Sequence, residues 1–202
     1  MSRFVNWYSA KLASRPLLTN VISTSALFAI GDTVAQFSNA NYTGYDYPRT
    51  LRAWIYGGII FAPIGTKWYP FLSSLKYPAT AASPLGSTSH TVKSTLLRVG
   101  VDQIGFSPVG ISLYFVVMGL MQGKPWPDIK QNWDNNFIPT LLVNWTVWPT
   151  FQAINFNLIP VGYRLMAVNV VSIGWNAFLS YRYSQSDNKD GSGDKEDLPK
   201  QK

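Results

Sequence analysis

Asn144-Trp145-Thr146-Val147-Trp148-Pro149-Thr150-Phe151-Gln152-Ala153-Ile154-Asn155-Phe156 is the stretch on which the reading of this chain turns. At helical spacing Asn144, Trp148, Gln152 and Asn155 stand four, four and three residues apart, which puts them on one face. Leu141, Leu142, Val143, Trp145, Val147, Phe151, Ile154 and Phe156 surround them. A row of amides and an indole on an apolar, aromatic-rich helix is out of place in a soluble core. It has a use in a membrane bundle, where the polar row meets other helices and the apolar faces meet lipid. Pro149 lacks an N–H and its ring meets the carbonyl of Trp145, so a bend is expected there.

The composition agrees with a membrane bundle. The chain has 202 residues, enough for one domain with a sizeable core. Only 13% of them are charged and 15% are aromatic, against about 25% charged in ordinary soluble domains. The mean hydropathy of +0.01 is low for a chain that crosses a membrane repeatedly, and polar loops and a polar tail account for part of that. There is no cysteine, which excludes disulfides, thiolate catalysis and cysteine zinc sites. His90 is the single histidine, which excludes a multi-histidine metal site. No cofactor, metal or catalytic residue is expected. The net charge is +7, and residues 184–202 hold four lysines and five acids, leaving thirteen basic residues against five acids in 1–183. Those basic residues are dispersed singly between apolar windows. That favours loops against a lipid bilayer over a nucleic-acid surface.

Outward from the opening stretch, the sequence predicts an all-α, polytopic transmembrane bundle of four to five apolar spans with proline-bent helices. It occupies residues 1–183, and 184–202 form a disordered polar tail. The spans are 17–37, 50–72, 95–123 and 137–159, with a fifth apolar window over 163–183. Residues 1–16, with Arg3, Lys11, Arg15 and no acid, read either as a presequence or as a retained interfacial helix anchored by Trp7 and Tyr8. Asp32 and Gln36 share a face of the first span with Ser25. Arg98 and Asp102, four residues apart in the third, are expected to pair, with Gln103 beside them. Asn169, Ser172, Asn176 and Ser180 share a face of the fifth window. Residues 76–94 read as an exposed loop holding a solvated His90, and 124–136 as a polar connection. Phe61-Ala62-Pro63-Ile64-Gly65 echoes Phe106-Ser107-Pro108-Val109-Gly110, which suggests an internal repeat or a recurrent kink. Pro63, Pro108 and Pro149 then bend three helices.

These motifs resemble the family of Mpv-seventeen and the twenty-two-kilodalton peroxisomal membrane protein, above all its fungal mitochondrial branch. The resemblance runs to about Tyr183. It rests on Trp7 with Leu12, Arg15-Pro16 and Thr19; on Gly31-Asp32 with Gln36; and on Asp102-Gln103 with Pro108. The run from Asn144 through Trp148-Pro149, Gln152 and Asn155-Phe156 to Pro160, followed by Arg164, carries it furthest. Trp175-Asn176 with Leu179-Ser180 closes the pattern. Two positions depart from it: Pro63 stands one residue too far from Trp68-Tyr69, and Phe178 replaces a common tyrosine. The resemblance implies a multi-pass protein of the mitochondrial inner membrane, or alternatively of the peroxisomal membrane. It also implies a link to heat stress, ethanol metabolism and mitochondrial DNA maintenance.

Two functions follow for the polar faces. In one, Asp32, Gln36, Arg98, Asp102, Gln103, Asn144, Trp148, Gln152, Asn155, Arg164, Asn169 and Asn176 line a channel or transport path for small ions or metabolites. In the other the same residues join helices of a non-conducting structural or assembly protein. A homo-oligomer or a membrane complex is expected in either case. An enzyme is not.

Overall fold

The computed structural model describes residues 3–38, 44–80, 82–159, 167–168 and 170–181. Within them regular structure is helical, apart from one isolated bridge between Thr80 and Ser83. Helix α1 is Arg3–Ser14 and α2 is Pro16–Phe37, which starts on a proline that needs no N–H at that position. Helix α3 runs Tyr47–Ile55, widens into a π-helix over Tyr56–Phe61 and returns to α over Ala62–Ser74. Helix α4 repeats that plan: Thr88–Gly100, a π-helix Val101–Phe106, then Ser107–Met121. Helix α5 is Trp126–Leu158, and a final helix, α6, covers 167–168 and 170–181. Arg164, Asn169 and the tail expected from 184 lie outside the described residues.

The π-segments explain the echoed sequences. In a regular α-helix the rings of Pro63 and Pro108 strike the carbonyls of Ile59 and Ile104, four residues back. Here the Ala62 N–H bonds the Gly57 carbonyl and the Ser107 N–H bonds that of Asp102, five back in each case. The wider turn takes up one extra residue and relieves the clash just before each proline. Pro63 and Pro108 therefore stand at the first positions of new α-segments and are not interior kinks. Pro139 and Pro149 lie inside α5, which runs through both as one helix.

Caps and turns set the remaining connections. Asp46 caps α3 by accepting from the Arg49 N–H, and Ser87 caps α4 by accepting from that of His90. At the end of α4 Gly123 takes a left-handed φ of 71°, and the Lys124 N–H reaches back to the Gly119 carbonyl. That closes a Schellman turn and sends the chain straight into α5. The stretch 124–136, expected as a polar connection, is accordingly the start of α5, and Ile129 packs against Gly119. The expected loop over 76–94 also ends early, since α4 begins at Thr88. His90 is not solvated as expected: it is buried, with Nε2 bonded to the Tyr77 carbonyl at 2.9 Å.

Helix α2 packs on α3, the later half of α4 packs on α5, and α6 closes the bundle. A Cβ on Gly31 would stand 2.5 Å from Asn176 Cβ, so glycine is what lets α2 and α6 approach this closely. Phe28, Tyr56, Ile111, Tyr114, Phe115 and Leu179 form the apolar centre. The remaining burial is inverted relative to a soluble protein. Asp32, Gln36, Asp102, Gln103, Asn144, Gln152 and Asn155 are inside, while Leu17, Ile22, Ile59, Ile104, Val109, Leu142 and Ile154 are exposed. Among the described residues two helices are long and apolar enough to cross a membrane on that criterion alone, α2 and α4 (Thr88–Met121).

Candidate functional site

The polar interior divides into two clusters. The first gathers on Asp32, near the end of α2. The carboxylate is fully buried, and each oxygen is met twice. Oδ1 accepts from Arg49 Nε at 2.7 Å and from Ser180 Oγ; Oδ2 accepts from Gln36 Nε2 at 2.8 Å and Thr50 Oγ1 at 2.6 Å. Arg49 Nη2 also donates to the Ser180 carbonyl at 3.2 Å and to Ser180 Oγ at 3.0 Å. Gln36 binds the Asp46 backbone in both directions, accepting from its N–H at 2.7 Å and donating to its carbonyl at 3.1 Å. The Gly31-Asp32 and Gln36 motif thus ties α2, the start of α3 and α6 together. An ion pair with this many supporting hydrogen bonds can offset its own desolvation.

The second cluster surrounds Asp102 and is built by the second π-segment. That turn carries Asp102 and Gln103 consecutively into the bundle. Trp68 Nε1 donates to Asp102 Oδ1 at 2.8 Å and Gln103 Nε2 to Oδ2 at 2.9 Å, with the Gln152 side chain adjoining. Asn144 Nδ2 then reaches Gln103 Oε1 at 2.9 Å and Ser107 Oγ at 3.0 Å. Trp145 Nε1 meets the Gln103 carbonyl at 3.0 Å, and Asn155 Nδ2 meets Gln152 Oε1 at 3.3 Å. The later half of α5 therefore presents Asn144 and Gln152 of its amide row to α4.

A partly open cavity of about 100 Å³ adjoins this second cluster. Its wall includes Asp102, Gln103, Asn144, Trp148, Gln152 and Asn176, all expected from sequence to line a path or join helices. Phe28, Phe61, Phe106 and Trp175 supply apolar wall, and Trp68 stacks on Phe106 with ring centres 4.9 Å apart. Two polar atoms of lining residues, Asn20 Oδ1 and Asn176 Nδ2, are buried without a hydrogen-bond partner among the described residues. One is an acceptor and one a donor, which suits a wall that meets a polar guest.

Other expectations are corrected. Arg98 does not pair with Asp102. Its Nε donates to the Leu75 carbonyl at 2.8 Å and its Nη2 to that of Ser73 at 3.2 Å, with the guanidinium 6.0 Å from the Phe156 ring. Two free carbonyls at the end of α3 capture the guanidinium, and the π-turn carries Asp102 inward to Trp68. Asp32 and Gln36 are held in the other cluster, away from the cavity wall, and Asn155 stands behind Gln152. Sequence reasoning missed four residues of the two clusters and the cavity wall: Arg49, Trp68, Thr50 and Asn20. Arg49 had one available signal: a basic residue at the head of an apolar helix in a body with only five acids needs one of them nearby.

Comparison with known proteins agrees with this geometry. The Mpv17 / PMP22 family model matches residues 119–180, which contain the amide row of α5 and the tryptophan of α6. Protein SYM1 of Kluyveromyces lactis is 46% identical over 92% of this chain and 92% of its own length. Protein SYM1 of Saccharomyces cerevisiae is 45% identical over 93% of this chain and 94% of its own, and that of Candida albicans 46% over 90% and 97%. No solved structure matches the chain. With apolar helices outside, polar clusters within and relatives matched over at least 90% of its length, the chain is a helical membrane protein belonging to the Mpv17/PMP22 family.

Proposed function

We propose that this protein is a multi-pass component of the mitochondrial inner membrane that conducts a small ion or polar metabolite through the cavity beside Asp102. Helices α2 to α6 are the spans, and the lined cavity is one station on the path. The supporting observation is the placement of a carboxylate there with no cationic partner among the described residues, beside an unpartnered amide acceptor and donor. A carboxylate in a membrane interior is retained where it serves ions or polar solutes. The role is non-enzymatic. It supports metabolism under heat stress, ethanol use and maintenance of mitochondrial DNA, as the family resemblance implies.

Planar-bilayer recording on the purified protein tests this. Discrete conductance steps are expected, and Asp102→Asn should shift the reversal potential in a salt gradient while the melting temperature in detergent stays near that of the parent. Silence from folded protein in the bilayer would end the conduction reading. One observation favours a second reading, a non-conducting assembly protein: the Asp32 cluster is saturated with internal partners and behaves as interhelical glue. Under that reading the protein is silent and co-purifies with membrane partners through its apolar outer faces.

A further inference from the structure

The two ends of the bundle carry different charge. Chain direction and cross-links identify the ends. At one of them α2 starts, α3 finishes, α4 starts and α5 finishes: Asn20 Nδ2 bonds Thr66 Oγ1 at 2.9 Å, Arg98 bonds the last carbonyls of α3, and Thr95 Oγ1 bonds Asn157 Oδ1 at 3.4 Å. At the other, Gln36 meets Asp46, Arg49 meets Ser180, and Trp133 Nε1 donates to Ser112 Oγ at 3.0 Å.

The first end holds Lys11, Arg15, Lys67, Lys76, Lys93 and Arg98. Among the described residues it holds no acid; Asp102, one turn past Arg98, is turned inward to Trp68. None of the six cations forms an ion pair with a described carboxylate. Lys93 Nζ lies 5.3 Å from the Tyr77 ring centre, and Lys11, Arg15, Lys67 and Lys76 are exposed. The opposite end is balanced: Arg49, Arg52, Lys124 and Lys130 stand with Asp32, Asp46, Asp128 and Asp134, and two of these pairs are closed at 2.7 and 2.5 Å. Among the described residues one rim therefore carries six uncompensated cations and the other none in net.

We infer that the first rim is a docking surface for anionic phospholipid headgroups. The cations ring apolar helices at the depth where headgroup phosphates lie. Exposed aliphatic side chains stand directly below them, on α2 at Leu17 and Leu18 and on α4 at Val92 and Leu96. Lys67, about two turns in from the end of α3, is long enough to extend its ammonium to that plane. Charge complementarity of this kind, with acyl chains against the apolar faces and phosphates against the cations, selects an anionic lipid over a zwitterionic one. It is independent of whether the cavity conducts.

The absence of cysteine makes the test direct. Thr88→Cys at the first rim and Gln131→Cys at the other each accept a fluorophore at an exposed position. The labelled full-length protein is placed in mixed vesicles carrying headgroup-spin-labelled phosphatidylglycerol or phosphatidylcholine. A several-fold stronger quenching by phosphatidylglycerol is expected at Thr88→Cys and none at Gln131→Cys. The preference should fall steeply at about 0.5 M salt, where the screening length is roughly 4 Å. It should be lost in Lys67→Gln/Lys76→Gln/Lys93→Gln, with the Gln131→Cys signal unchanged. Equal quenching by the two lipids at Thr88→Cys would overturn the proposal. So would a preference that ignores salt, or one abolished by millimolar inorganic phosphate, which would mark a site for a soluble anion. Failure to float with vesicles of any composition would overturn it together with the membrane reading.

Discussion

Asp32 and Arg49 form a 2.7 Å ion pair whose carboxylate is fully buried. Four donors meet that carboxylate, and they come from α2, α3 and α6. Removing one charge from such a pair leaves the other buried without compensation, at a cost of about 3–5 kcal/mol. Asp32→Asn should therefore lower the melting temperature sharply in detergent, and Arg49→Gln should do the same. The double variant should lose much less than the sum, because the two share one interaction. Additive losses in that double-mutant cycle would show that the pair is not the unit of stability. Asp102 is different, since its donors are the neutral Trp68 indole and Gln103 amide. Asparagine keeps one acceptor oxygen there, enough for the Trp68 indole, while removing the charge, which is why its substitution is expected to act on conduction first.

At the scale of the helix, the sequence told more about faces than about turns. The amide row of α5 lies inside, as its spacing required, because a three-to-four residue period survives a proline that leaves the helix continuous. The partner of Asp102 was misread because four-residue spacing assumes an unbroken α-helix, and Arg98 and Asp102 lie on either side of a change to π geometry. The signal was present in the echoed Phe-x-Pro-x-Gly, but sequence does not distinguish a kink from a widened turn. A π-turn is an α-helix with one residue inserted, so deleting Ile104 should restore a plain α-helix and rotate the start of α4 by about 100° against its end. Gln103 would then leave Asn144, and Asp102 would leave Trp68. Loss of that buried network, together with the Pro108 clash that the plain helix brings back, should cost about 3 kcal/mol or more, while Ile104→Ala, at a position 77% exposed, should stay within about 0.5 kcal/mol. Thermal unfolding of the two variants side by side decides the matter. Equal stability would mean that the π-turn is not what holds the polar network.

For the whole molecule the controlling fact is that polar clusters are buried beside the apolar centre while large aliphatic side chains face outward, and this pattern predicts opposite outcomes in water and in lipid. Ile59 is 62% exposed near the middle of α3, and Leu85 is 74% exposed in the connection between α3 and α4. In a soluble protein lysine at either position would be nearly neutral, as exposed surface substitutions are. In a bilayer the two positions part company. Lysine at the centre of a lipid-facing helix costs roughly 3 kcal/mol on insertion scales, and Ile59 lies too far from either end of α3 for the ammonium to reach the headgroups easily. Leu85 lies in a connecting segment, where a cation can sit at the interface and join the basic rim. Ile59→Lys should accordingly reduce the carbonate-resistant, folded fraction recovered from membranes by a large factor, and Leu85→Lys should leave it unchanged. The same pair also separates membrane insertion from helix packing, because neither side chain contributes to the buried centre. If Ile59→Lys were recovered as well as Leu85→Lys, the apolar outer face would have to be covered by protein, and an oligomer burying α3 would replace lipid as its partner.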